Sequence, residues 1–170
     1  MKTNPSKILF CAVVLLIQIV LSDFVNIGPY VYLCTVPMLV IYLSMDQDSI
    51  GSMLLAFGFG LAVDALEDGV LGLNAVSAVA LAAVRKPLFT IFFSKENLNR
   101  AIIPSIQEVG IFKHVNYILC SLVVYFVVYI FFDSIGLENF STSLLRLVFS
   151  CAANLLLILS LDFFLLNTRR

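Results

Sequence analysis

Charge is scarce in this chain. Of its 170 residues, 12% are Asp, Glu, Lys or Arg, where soluble domains carry about 25%. Apolar residues of the AVILMFWYC set make up 61%, and the mean hydropathy is +1.05. A soluble fold of this size still leaves roughly 30% of its chain surface wet, so it could not hide that much apolar surface. Disorder is excluded too, because it needs low hydrophobicity and high net charge. Lys plus Arg number 10 and Asp plus Glu number 11. With no basic excess, the composition gives no sign of nucleic-acid binding. The chain reads as a polytopic membrane protein.

Chemistry-bearing residues are equally sparse. His114 is the single histidine, so a two-histidine metal site or a Ser–His relay cannot be assembled. Cys11, Cys34, Cys120 and Cys151 form no CxxC pair. Each lies in an apolar run and reads as a small hydrophobe. No GxxxxGK[ST] phosphate loop is present. Asp64, Glu67 and Asp68 lie close together, but Asp68 suits a helix cap and Glu67 a wet turn. No metal or cofactor is expected, and nothing suggests an enzyme. There is no internal repeat, and no broken helices recur in matched halves as in inverted-repeat transporters.

A spanning helix needs about 20 mostly apolar residues, and six segments qualify: residues 8–22, 29–45, 49–66, 69–93, 115–132 and 144–166. The first follows Lys2 and Lys7 and could mimic a signal peptide. Asp23-Phe24-Val25 follow it without a small-x-small cleavage site, so it is expected to be retained. The second carries Pro37 mid-span. Segments three and four are joined by Glu67-Asp68-Gly69, a tight hairpin in which Asp68 can cap the next helix and Gly69 can take a strained turn. Residues 94–114 form the longest connection. There Leu98, Ile102, Ile106 and Val109 recur at helical spacing around Pro104, as an interfacial amphipathic segment or a polar loop with scattered apolar residues.

Positive loops stay cytoplasmic. With six spans, Lys2, Lys7, Arg85, Lys86, Lys95, Arg100, Lys113, Arg169 and Arg170 all fall on one side. The opposite loops hold Asp23, Glu67, Asp68, Asp133 and Glu138, with no Lys or Arg. Both termini are therefore expected in the cytoplasm. Five or seven spans would spoil this partition.

Small residues mark close helix contacts in lipid. Segment three has Ser52, Ala56 and Gly60 at four-residue spacing, with Asp64 the next step. Segment four has Gly72, Ala75, Ala78 and Ala82 on one face. The two are expected to pack antiparallel through these stripes. Ionisable groups inside spans cost about 2.5–3.5 kcal/mol each at mid-helix, and Asp64, Arg146 and Asp162 qualify. Asp64 and Arg146 fall at similar depth with opposite charge. They are expected to pair, or to share a hydrogen-bonded site with Asn74. The alternative is that each snorkels separately. Asp162, near the end of the last segment, is expected to snorkel or face Arg169 or Arg170. Gln18 and Asn154 read as interhelical hydrogen-bonding positions.

Pro29-Tyr30-Val31-Tyr32-Leu33, then Gly60-Leu61-Ala62-Val63-Asp64, Gly72-Leu73-Asn74-Ala75 and Arg85-Lys86-Pro87 form a series that resembles the MreD family, the bacterial rod-shape-determining membrane proteins, in its Bacteroidetes-type form. Pro104-Ser105-Ile106, Val109-Gly110-Ile111-Phe112-Lys113 and Leu144-Leu145-Arg146-Leu147 extend the likeness over nearly the whole chain. Many members carry His where this chain has Asn74, so no titratable role is carried over to that position. The resemblance implies an all-α bundle of six transmembrane helices, similar to the S components of energy-coupling vitamin transporters. It also implies a non-enzymatic partner of MreC, MreB, RodA and the elongation penicillin-binding transpeptidase in the inner membrane, helping to position lateral peptidoglycan synthesis. The competing reading is a vitamin-binding S component. Those proteins dock their transport subunit through an Ala-x-x-x-Ala face on the first helix, which Cys11 to Val20 lacks.

Overall fold

The computed structural model describes residues 5–24, 28, 30–42, 49–67, 70–93, 110–134 and 140–167. All regular structure among them is helical: α1 Pro5–Phe24, α2 Val36–Ile41, α3 Ser49–Leu66, α4 Leu73–Phe92, α5 Ile111–Asp133 and α6 Phe140–Asn167. Four stretches are long and apolar enough to cross a membrane: Ser49–Leu66, Leu73–Phe92, Ile111–Asp133 and Ser141–Phe163. A shorter apolar stretch, Cys11–Ser22, lies in α1. The chain is a multi-pass helical membrane protein. Large apolar side chains such as Leu54, Phe57, Val127, Phe131, Val148 and Leu156 are exposed on the outside of the bundle, where lipid is their solvent.

Consecutive long helices run antiparallel. α3 packs most extensively on α4, α4 on α5, and α5 on α6. The directions follow from side-chain contacts. Phe89, late in α4, and Phe93, just after it, meet Tyr117, early in α5. Asn74 at the start of α4 meets Tyr125 further along α5. Ser143 near the start of α6 meets Ser134 just after α5. One end of the bundle, here the upper end, therefore carries the α3–α4 link. The lower end carries the end of α4 and the start of α5.

The α3–α4 contact is the small-residue interface expected from the spacing. Ser52, Ala56 and Gly60 are buried on α3, as are Ala75, Ala78 and Ala82 on α4. Gly60 sets the approach: a Cβ there would lie 2.4 Å from Ala75 Cα and 2.6 Å from Ala75 N. Gly72 departs from the expectation. It does not pack in the stripe but precedes the first turn of α4 as its N-cap, at φ 102°, where only glycine is unstrained.

The second segment is a larger departure. A continuous helix over 29–45 was expected. Instead, residues 31–34 are non-helical and lead into the six-residue α2. A helix of that length rises only about 9 Å, far short of a hydrocarbon core about 30 Å thick. Pro37 lies in its first turn, where a missing N–H is harmless, and not mid-span. Residues Cys34 to Ile41 are all buried, and α2 lies against α3, α4 and α5, so it is an internal element. The 94–109 segment, Asp68, Gly69, Arg169 and Arg170 lie outside the described residues.

The closest helix contact gives a paired test. Gly60→Ala should destabilise the detergent-solubilised protein by about 1–3 kcal/mol through overpacking. Gly58, on the same helix with nothing within 4 Å of a built Cβ, should tolerate Ala or gain from its helix propensity. Thermal unfolding of both variants checks this. Equal melting temperatures would contradict the contact.

Candidate functional site

The non-helical residues 31–35 create the demand that the upper half of the bundle answers. Backbone N–H and C=O groups outside a helix have no partner of their own, and hydrocarbon offers none. Three side chains meet several of them. Asn154 of α6 accepts from Cys34 N at 2.8 Å and donates through Nδ2 to Tyr32 O at 2.6 Å. Gln18 of α1 accepts from Thr35 N at 2.6 Å and from Thr35 Oγ1 at 2.8 Å, and donates to Leu33 O at 3.3 Å. Ser150 Oγ accepts from Tyr32 N at 3.1 Å. Gln18 and Asn154 are thus the hydrogen-bonding positions the sequence suggested, and both reach backbone groups of one irregular segment.

A second cluster joins this clamp to the α3–α4 hairpin. Asp64 is 3% exposed and accepts four hydrogen bonds. They come from the backbone N–H of Gly72 (2.9 Å), Asn74 (3.1 Å) and Ala75 (3.2 Å), and from Asn74 Nδ2 (2.9 Å). These backbone groups are orphan donors at the start of α4, at the positive end of its dipole. A carboxylate on one helix therefore caps the next. From Asn74 the bonds continue: its Nδ2 donates to Tyr32 Oη at 2.9 Å, and its Oδ1 accepts from Tyr125 Oη. Tyr32 Oη donates to Glu67 Oε2 at 2.6 Å, and Gln18 Nε2 donates to Glu67 Oε1 at 2.6 Å. Cys34 Sγ lies 3.3 Å from Tyr125 Oη. Tyr32 also stacks on Tyr129, with ring centroids 4.7 Å apart and planes 12° apart.

Asp64 shares a hydrogen-bonded site with Asn74, but Arg146 is not part of it, so neither the expected pair nor a site shared by both charges forms. Arg146 Nη2 reaches Asp133 at 2.8 Å. That pair joins the end of α5 to the start of α6, where both groups are partly exposed and remain wetter than Asp64. Asp162 does not behave as expected either. It is buried, with Oδ2 2.9 Å from His114 Nε2. Glu67 is a member of the network, not a simple wet turn. Arg85, counted among the loop cations, is fully buried within α4. Its Nη1 donates to Val40 O and its Nη2 to Ser52 Oγ, both at 3.1 Å.

The tyrosines and His114 had a signal in the sequence. His114, Tyr117, Ser121 and Tyr125 recur at three- and four-residue steps in an otherwise apolar run, and all are buried on one face of α5. A polar stripe inside a spanning helix points inward.

The upper cluster is connected and internally bonded. Asp64 has both oxygens doubly bonded, and Asn74 has both ends in use. Among the described residues, no group of three or more His, Cys, Asp or Glu could hold a metal ion. The arrangement holds helices and an irregular segment in fixed relation. Comparison with known proteins finds no matching family model, no matching curated protein and no matching solved structure.

Two substitutions test the reading. Asn154→Leu orphans Cys34 N and Tyr32 O, at roughly 1–3 kcal/mol each. It should sharply reduce folded protein in the membrane, whereas Ser160→Ala, which removes only a bond to its own helix, should not. Comparable abundance of the two variants would count against the clamp. At Asp64, Asn retains one accepting oxygen and Leu retains none, so membrane abundance should fall in the order wild type, Asp64→Asn, Asp64→Leu. The reverse order of the two variants would remove the capping role.

Proposed function

We propose that this chain is a non-enzymatic scaffold of the bacterial rod-elongation machinery. It would sit in the inner membrane with both termini in the cytoplasm and help to position lateral peptidoglycan synthesis. Its partners on this reading are MreC, MreB, RodA and the elongation penicillin-binding transpeptidase. The observation that supports it concerns the residues that carry the resemblance to the MreD family. The Gly60-to-Asp64 stretch and the Gly72-to-Ala75 stretch dock on one another: Gly60 lets Ala75 approach, and Asp64 caps Gly72, Asn74 and Ala75. Tyr32, from the Pro29-to-Leu33 stretch, joins the same cluster through Asn74 and Glu67. These motif residues hold the bundle in shape, which is what a protein that works by presenting its flanks to other membrane proteins requires.

The two sides of the bundle are consistent with the same reading. The lipid-facing flanks of α3, α5 and α6 are broad and apolar. In hydrocarbon, helices associate by close packing and not by a hydrophobic drive, so such flanks can hold lipid or a partner helix with little energetic difference. A scaffold with several partners can use that near-degeneracy.

Depletion in a rod-shaped host should round the cells without stopping all wall synthesis, as seen by microscopy and by labelling of new peptidoglycan. Photo-cross-linkers on the exposed flanks should capture membrane proteins of the elongation machinery. Cells that keep normal width and length after complete depletion would overturn the proposal. A stoichiometric vitamin in the purified protein would replace it with the S-component reading.

A further inference from the structure

The two rims of the bundle are alike in hydrophobicity and opposite in charge. At the upper rim Leu66, Val70, Phe131 and Phe132 are exposed. The charges among them are Glu67, half-buried, and Asp133, which holds Arg146. At the lower rim Ile50 in the first turn of α3, Ile91 in the last turn of α4, and Ile111 and Phe112 in the first turn of α5 are exposed. Phe112 is the most open of these, at 82%. Among the described residues, the accessible charges at this rim are Lys113, beside Phe112, and the half-buried Lys86 of α4. Arg85 and Asp162 are buried there, the one bonded to Val40 O and Ser52 Oγ and the other to His114. The sequence outside the described residues keeps the same sign. Lys95 and Arg100 balance Glu96 and Glu108, while Lys2, Arg169 and Arg170 outnumber Asp46 and Asp48.

Depth decides what can reach these lysines. Lys86 lies six residues before the end of α4, about 9 Å inside that end at 1.5 Å per residue. It is set within the apolar span and meets the interface by extending its stem along the helix. An ammonium placed in this way lies at the level of lipid phosphates. A soluble acidic protein would meet it only by entering the headgroup layer. Lys113 stands in the same turn as Phe112, so its charge too is set beside a side chain that belongs among acyl chains.

We infer that the lower rim is a surface for anionic phospholipids, with Lys86 and Lys113 facing the headgroup phosphates and Ile91, Ile111 and Phe112 lying among the first acyl carbons. Apolar contact is the same for every phospholipid, so it does not select. The headgroup does. A zwitterionic lipid brings its own ammonium to its phosphate and carries no net charge. An anionic lipid leaves its phosphate uncompensated, and each Lys or Arg near such a surface gains a factor of about five in binding. The upper rim offers the same apolar contact with carboxylates in place of lysines, so it gives no such preference. The inference is independent of the side of the membrane that the lower end faces.

The chain has no tryptophan, so each rim can be given a single fluorescent reporter: Phe112→Trp below and Phe131→Trp above. Both side chains are exposed, and Trp suits the membrane interface. Each variant is placed in bilayers of equal parts phosphatidylcholine and phosphatidylglycerol, with bromine as quencher on the acyl chains of one lipid or the other. At low salt, brominated phosphatidylglycerol should quench the lower reporter with a preference of at least about twofold over phosphatidylcholine. The upper reporter should show none. About 1 M salt, where the screening length falls to about 3 Å, should bring the lower reporter to parity. Lys86→Gln combined with Lys113→Gln should do the same at low salt, and the corresponding pair of Lys→Arg changes should not. Equal quenching by the two lipids at the lower reporter would overturn the inference and leave the lysines to an acidic protein segment. The same preference at both rims, or one that survives both salt and the double Gln variant, would also overturn it. The comparison of rims and the salt series need only the two reporter variants, so the test stands even if the double Gln variant does not fold.

Discussion

The backbone of residues 31–35 has to be satisfied inside the bundle, and the upper half of the protein is arranged around that requirement. A helix satisfies its own interior, but a non-helical segment in hydrocarbon needs each N–H and C=O matched from outside. Gln18 of α1 and Asn154 and Ser150 of α6 do this for Tyr32 N and O, Leu33 O, Cys34 N and Thr35 N. Magnitudes indicate which bonds matter. An average interhelical hydrogen bond in a membrane is worth only about 0.6 kcal/mol, because the partners can find substitutes. A backbone group fixed in an irregular segment has no substitute, so its loss approaches the full desolvation cost of roughly 1–3 kcal/mol. The clamp is therefore worth more than the same count of bonds between regular helices.

The α3–α4 hairpin depends on a related economy. Its first requirement is steric, since Gly60 allows two backbones to touch. Its second is electrostatic, since close approach places the Asp64 carboxylate at the open N–H groups of α4. The N-terminus of a helix inside lipid is a cost, and a carboxylate inside lipid is a larger one. Each offsets the other. A charge that looked like a candidate for an ion pair is neutralised by oriented amides, so Arg146 is left for Asp133 at the wetter end.

What the sequence made legible follows from periodicity. The long helices were readable because an apolar run of that length has no soluble alternative. The Ser52–Ala56–Gly60 face was readable because four-residue spacing puts small residues on one side. The second segment was not, because hydropathy records only that residues 29–45 prefer to leave water. It is silent on whether they do so as a helix against lipid or as an irregular strand inside protein. The charge count had the same blind spot. Arg85 counts with the loop cations beside Lys86 although it lies within the expected 69–93 segment, and inside α4 it faces Ser52 and Val40. Asp162 was misread because its partner, His114, was placed in a loop. An element boundary a few residues off moved the only histidine out of the bundle and hid the pair.

The two ends of the bundle differ in kind. Above, donors and acceptors are matched: Asp64 is fully occupied, and Asn74, Tyr32, Gln18 and Glu67 pass bonds to one another. A closed network of this sort rigidifies and specifies one packing. Below, the contacts are fewer: His114 meets Asp162, and Tyr42 faces the same carboxylate. The upper network joins α1, the irregular segment, the α3–α4 hairpin, α5 and α6, while the lower pair joins α5 to α6. α6 takes part in both, through Asn154 above and Asp162 below, so it ties the two ends together. The same helix that closes both clusters on its inner face presents Leu145, Val148, Phe149 and Leu156 outward to lipid, so one periodic sequence serves two different solvents.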